Sequence, residues 1–99
     1  MAGKTPVSFA QSAVFDLEDI QAYYDSEGAA ETGRRLIEEL VSAIERLADH
    51  PKSGRVVPEF NIEYLREVIK PPFRIVYRCD KKRVRIVRIW RSERILKLP

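Results

Sequence analysis

Apolar positions along this chain change period twice, and those changes divide it into elements. Val7-Ser8-Phe9 alternates after Pro6 and predicts a short first strand. Ala13, Leu17, Ile20 and Tyr24 then recur at spacings of four, three and four, with Asp16, Glu18, Asp19 and Gln21 on other faces, which predicts a helix. The turn formers Asp25-Ser26-Glu27-Gly28 interrupt it. A second helix is expected through Ala30, Gly33, Ile37, Leu40, Ile44 and Leu47, its stripe widened by Leu36, Val41 and Ala48. Pro51 should end it, because proline lacks the amide donor and crowds the preceding turn. Two helices with so short a break form an antiparallel hairpin.

Lys52 to Arg55 reads as loop, and Pro58 argues against a central strand there. The period then falls to two. Leu65, Glu67 and Ile69 should face one way, and Arg66, Val68 and Lys70 the other. After Pro71-Pro72, a hard break, Phe73, Ile75, Tyr77 and Cys79 form the cleanest apolar face in the chain, opposite Arg74, Val76 and Arg78. Asp80-Lys81-Lys82 is the expected hairpin tip, although it lacks a favoured Asn-Gly or Asp-Gly pair. A last strand from about Arg83 to Trp90 should have mixed faces, Val84, Ile86, Arg88 and Trp90 against Arg85, Val87, Ile89 and Arg91. The order strand, helix, helix, strand, strand, strand predicts an α+β domain over residues 1–99: an N-terminal strand, a helical hairpin, and a three-stranded antiparallel sheet covered by the helices on one side and partly on the other.

Charge adds a second division. From Tyr64 onward twelve Lys and Arg face three acidic residues, a net +9, whereas the first sixty-three residues carry a net −6. A basic part of this kind attracts polyanions or acidic peptides, or is simply a solvated face. No apolar run approaches the ~20 residues of a membrane helix, and the first residues lack the apolar stretch of a signal peptide. A cytoplasmic protein without membrane contact is expected. Cys79 and His50 are the single cysteine and histidine, so a multi-cysteine metal site is excluded and no metal or cofactor is expected. Cys79 reads as a small core residue and His50 as a helix-end residue.

Within this order, Leu47-Ala-Asp-His-Pro-Lys-Ser-Gly-Arg55, the Arg66-Glu67 pair, Phe73-Arg-Ile-Val-Tyr77 and Val84-Arg-Ile-Val-Arg-Ile-Trp-Arg-Ser-Glu-Arg94 resemble the RelE/ParE toxin superfamily over roughly residues 7–98. The resemblance implies the toxin of a bacterial type II toxin–antitoxin module. It implies neutralisation by a cognate antitoxin bearing an acidic, amphipathic segment, within a possible higher-order toxin–antitoxin complex. ParE-like members inhibit DNA gyrase, whereas RelE-like members are ribosome-dependent endonucleases that cut messenger RNA. By the same resemblance Arg74 and Arg94 match family arginines, and Glu67 is the candidate base of a nuclease; its alternative is pairing with Arg66 or an arginine of a neighbouring strand. An arginine itself is a poor proton shuttle at neutral pH.

Other positions depart from the nuclease pattern. Leu65 and Glu67 stand where one branch has lysines, and Ser92-Glu93 where another has His-Tyr. The closing run Arg91 to Pro99 resembles the basic-then-aliphatic end of ParE-like members, with Arg91 where many have His. The ParE-like reading, a gyrase inhibitor without catalysis of its own, is therefore preferred. Its contact surface for target or antitoxin comprises Arg66, Arg74, Arg78, Arg85, Arg88, Arg91 and Arg94. A nuclease and a non-toxic nucleic-acid-binding relative stay open beside it.

Overall fold

The computed structural model describes residues 4–91. In chain order they form β1 (Val7–Phe9), α1 (Gln11–Ser26), α2 (Ala30–Arg46), β2 (Arg55–Val56), β3 (Leu65–Lys70), β4 (Phe73–Cys79) and β5 (Val84–Arg91). The α+β class and the helical hairpin are as expected. The sheet is larger: it has five strands in the order β1-β5-β4-β3-β2. β1 joins it by pairing in parallel with β5, Val7 opposite Val84 and Phe9 opposite Ile86. Arg55, expected in a loop, lies in the two-residue edge strand β2, where it faces Glu67. Such short edges leave little open backbone to recruit another chain.

Gly28 closes α1 in a left-handed conformation, φ 72°, and Ala29 N–H donates to the Tyr24 carbonyl at 2.8 Å. α2 stops at Arg46, before Pro51, because the chain turns through Leu47 to Asp49 and buries Leu47 completely. The helices lie on one face of the sheet. Leu40, Ala43, Ile44 and Leu47 from α2 and Ala13 from α1 pack there on Phe73, Ile75, Tyr77, Cys79, Val84 and Ile86. Full burial of each large aliphatic side chain contributes about 1.5–3 kcal/mol. Cys79 sits in this core as the alternation implied. The opposite face carries a smaller cluster, Val57, Leu65 and Val76 with Phe60, Val87 and Trp90, under the loop between β2 and β3.

The last strand departs from strict alternation. Tyr77 pairs with Ile86 while the adjacent Val76 pairs with Arg88, so Val87 is one residue too many. This bulge flips the register, which returns Ile89 to the helix side and leaves Val87 and Trp90 on the other. β1 ends opposite Ile86, and α1 meets β5 beyond that point. Ser12 Oγ donates to the Val87 carbonyl at 2.7 Å, and Ile89 N–H donates to Asp16 Oδ2 at 2.8 Å.

Tyr77 ties the sheet to the loop after α2. Its hydroxyl accepts from Gly54 N–H at 3.0 Å and donates to the Pro51 carbonyl at 2.8 Å. A Cβ on Gly54 would lie 2.6 Å from both the Tyr77 hydroxyl and the Glu67 carbonyl, so only glycine fits. Burial pushes the Tyr77 phenol above its ordinary pKa, with the Gly54 hydrogen bond opposing. A raised folded pKa gives stability that is full below the unfolded value, near 10, and is lost as pH rises through the folded one. Tyr77→Phe strands both loop groups, so urea unfolding should show a loss of about 1–3 kcal/mol. The variant's stability should also fall less steeply than wild type above about pH 10.

Candidate functional site

Two of the residues singled out in the sequence lie inside the protein. Glu67 on β3 and Arg74 on β4 are 1% and 5% exposed. The antiparallel register puts Arg74 opposite Ile69, two pairs along from Glu67 and so on the same face of the sheet. Arg74 Nε donates to Glu67 Oε1 at 2.7 Å. Its Nη1 and Nη2 both reach Glu59, on the loop before β3, at 2.8 Å. The second Glu67 oxygen accepts from Arg55 Nε at 2.7 Å. Glu67 thus pairs with arginines of two neighbouring strands, the alternative to a proton-transfer role. The bidentate bond from Glu59, above all, raises the Arg74 pKa above its ordinary value; burial opposes this, and Glu67 adds to it. Sequence reasoning missed Glu59 and Arg55 because no spacing links a loop carboxylate to a strand arginine fifteen residues later. Asn61 lets that loop turn, with φ 53°.

The remaining candidates divide. Arg88 is held to Asp16 by two bonds of 2.9 and 3.0 Å and lies 4.4 Å above the Trp90 ring. Arg91 lies over Phe73 at 5.9 Å. Arg66 is on the other face of β3, where Nη1 donates to the Gly54 carbonyl at 2.9 Å. Arg94, with Ser92 and Glu93, falls outside the described residues. Arg78 and Arg85 stay exposed and lie directly opposite each other on β4 and β5. Neither forms an ion pair with a described acidic residue. Like charges in direct register destabilise a sheet, so an anion bound across the pair would relieve a built-in repulsion.

Lys81, Lys82 and Arg83 continue this patch around the hairpin, all exposed. Asp80 places one negative charge within this patch, its carboxylate accepting from Lys82 N–H at 2.8 Å and Arg83 N–H at 2.9 Å. Those bonds, Lys82 first, hold its carboxyl below the usual range. No group of three or more His, Cys, Asp or Glu that could hold a metal occurs among the described residues. None of the described helices is long and apolar enough to cross a membrane.

Helical hairpin, mixed sheet and basic hairpin end together define a small α+β domain. Residues 7–96 match the family described as ParE toxin of type II toxin-antitoxin system, parDE, and the chain belongs to that family. No curated protein matches it. Its fold is similar to that in the chromosomal ParDE toxin–antitoxin system from P. aeruginosa, with TM-score 0.77 and 21% identity over 93% of this chain and 100% of that one. It is also similar to a chain of the toxin–antitoxin complex RelBE2 from Mycobacterium tuberculosis, with TM-score 0.67 and 18% identity over 90% of this chain and 99% of that one.

The buried and exposed arginines should differ sharply in stability. Arg74→Ala removes the buried partner of Glu67 Oε1, leaves only the half-exposed Arg55 on that carboxylate, and should cost about 3–5 kcal/mol in a denaturant titration. Arg78→Ala or Arg85→Ala should change stability by less than about 0.5 kcal/mol. Equal losses at the three positions would overturn this division.

Proposed function

We propose that this ParE-family toxin arrests growth by binding DNA gyrase, without catalysis of its own, and that a cognate antitoxin with an acidic, amphipathic segment neutralises it. The observation that carries the reading is the enclosure of Arg74 and Glu67. The nuclease alternative needs a base and a phosphate-holding arginine open to RNA. Here both groups are bonded to one another and to Glu59 and Arg55 inside the fold. A contact surface made of Arg78, Arg85 and the hairpin cations is left for recognition. Phe15 and Tyr23 on α1 are more than half exposed, which suits the apolar side of an amphipathic partner segment. Both similar structures come from toxin–antitoxin systems, which supports the antitoxin part.

The test is a DNA supercoiling assay with purified gyrase and the full chain, beside pulse-labelling of DNA and protein synthesis after brief induction. Inhibition of supercoiling and early loss of DNA synthesis are expected. An Arg78→Glu, Arg85→Glu double variant, folded by circular dichroism, should be at least about tenfold less inhibitory, since two repulsive charges replace two attractive ones. Undiminished supercoiling, with translation lost first, would sink the gyrase reading in favour of messenger RNA cleavage.

A further inference from the structure

The helix-side face of β3 bears a second feature, away from the Glu67 cluster. A cleft of about 760 Å³ opens between the loop after α2, the start of β3 and the base of the β4–β5 hairpin; Lys52, Glu63, Tyr64, Arg66 and Lys81 are on its walls. Arg66 and Glu67 are consecutive on β3 and so point to opposite faces, which separates this cleft from the buried ion pairs.

Arg66 is incompletely satisfied there. Nη1 is bonded to the Gly54 carbonyl, but Nε is buried without a hydrogen-bond partner, and Nη2 reaches Glu63 only at 4.0 Å. The Glu63 side chain is 83% exposed, so that contact is weak and easily displaced. Nη2, once Glu63 is displaced, is the guanidinium nitrogen turned to the cleft, held in place by the Gly54 bond of Nη1, and can donate to an oxyanion. Lys52 and Lys81 add positive charge, which with Arg66 outweighs Glu63 and Asp80 on the same lining. Tyr64, 47% exposed, offers an aromatic surface stiffened by the Arg78 guanidinium 4.8 Å from its ring.

We propose that this cleft binds a nucleoside phosphate, its phosphate on Arg66 with Lys52 and Lys81 and its base against Tyr64. The aromatic wall favours this ligand over an acidic peptide, which would use the cations and leave the ring idle. The site does not depend on the gyrase reading.

Amide NMR of the full chain titrated with adenosine 5′-monophosphate tests it. Shifts should centre on Gly54, Tyr64, Arg66 and Lys81, and adenosine or inorganic phosphate alone should bind at least about tenfold more weakly. Tyr64→Leu and Lys81→Gln, both at exposed positions, should each weaken the monophosphate several-fold, whereas Arg34→Gln on α2 should not. Arg66→Lys keeps the charge but loses the Gly54 anchor that holds the guanidinium at the wall, and should weaken binding by about tenfold. Shifts centred on Arg85 rather than on Tyr64, unchanged affinity in Tyr64→Leu, or a tetraglutamate peptide binding more tightly than the nucleotide would each overturn the proposal.

Discussion

Arg74 is a guanidinium almost wholly removed from water, and the far side of the sheet is organised around keeping it satisfied. Isolated burial of such a charge is prohibitive, so three further side chains must converge with it. Glu67 comes from the adjacent strand, Glu59 from the loop above, and Arg55 from the edge strand balances the second Glu67 oxygen. That demand fixes the loop between β2 and β3 over the sheet, where it also covers Val57, Leu65 and Val76. Apolar replacement of the group could be as stable. What the charges add is direction, because only one placement of the loop brings Glu59 bidentate to Arg74.

The division of charge between the two parts of the sequence becomes a division of labour in three dimensions. Acidic side chains from the first part reach across to the basic sheet at chosen points. Asp16 of α1 takes Arg88 and the Ile89 amide together, sealing the edge of β5 that β1 leaves open. Glu59 takes Arg74. These pairs neutralise arginines near the middle and the β1 edge of the sheet, while Arg78, Lys81, Lys82, Arg83 and Arg85 stay exposed around the hairpin. The net positive charge is thereby concentrated at one end, where long-range attraction of an anionic partner is strongest.

Much of the architecture was legible in one dimension. Helical spacing located α1 and α2, and alternation located β3 and β4, because each buries one face against a common core and the period of that burial is written in the residues. Alternation also located β1, but not its parallel place beside β5, and two further strand details were not legible. β2 is too short to have a period of its own, and pairing partners far apart in sequence decide whether such a segment becomes a strand. The bulge at Val87 breaks an alternation that looked continuous, since Arg, Val and Ile residues occur on both faces of β5 and no change of pattern marks the slip.

For the candidate site, residue type determined the chemistry available and the tertiary structure decided which of it faces solvent. The sequence alone established a basic C-terminal part, a chain without multi-cysteine metal chemistry, and the motif order of the RelE/ParE superfamily. It placed Arg74 and Arg78 on the same face of one strand without distinguishing them. Only the fold separates the two: Arg74 lies under the β2–β3 loop against two carboxylates, while Arg78 lies across from another arginine in the open. The physical reason is that strand periodicity is a local property of the chain, whereas burial of a charge depends on partners brought in from other strands and loops.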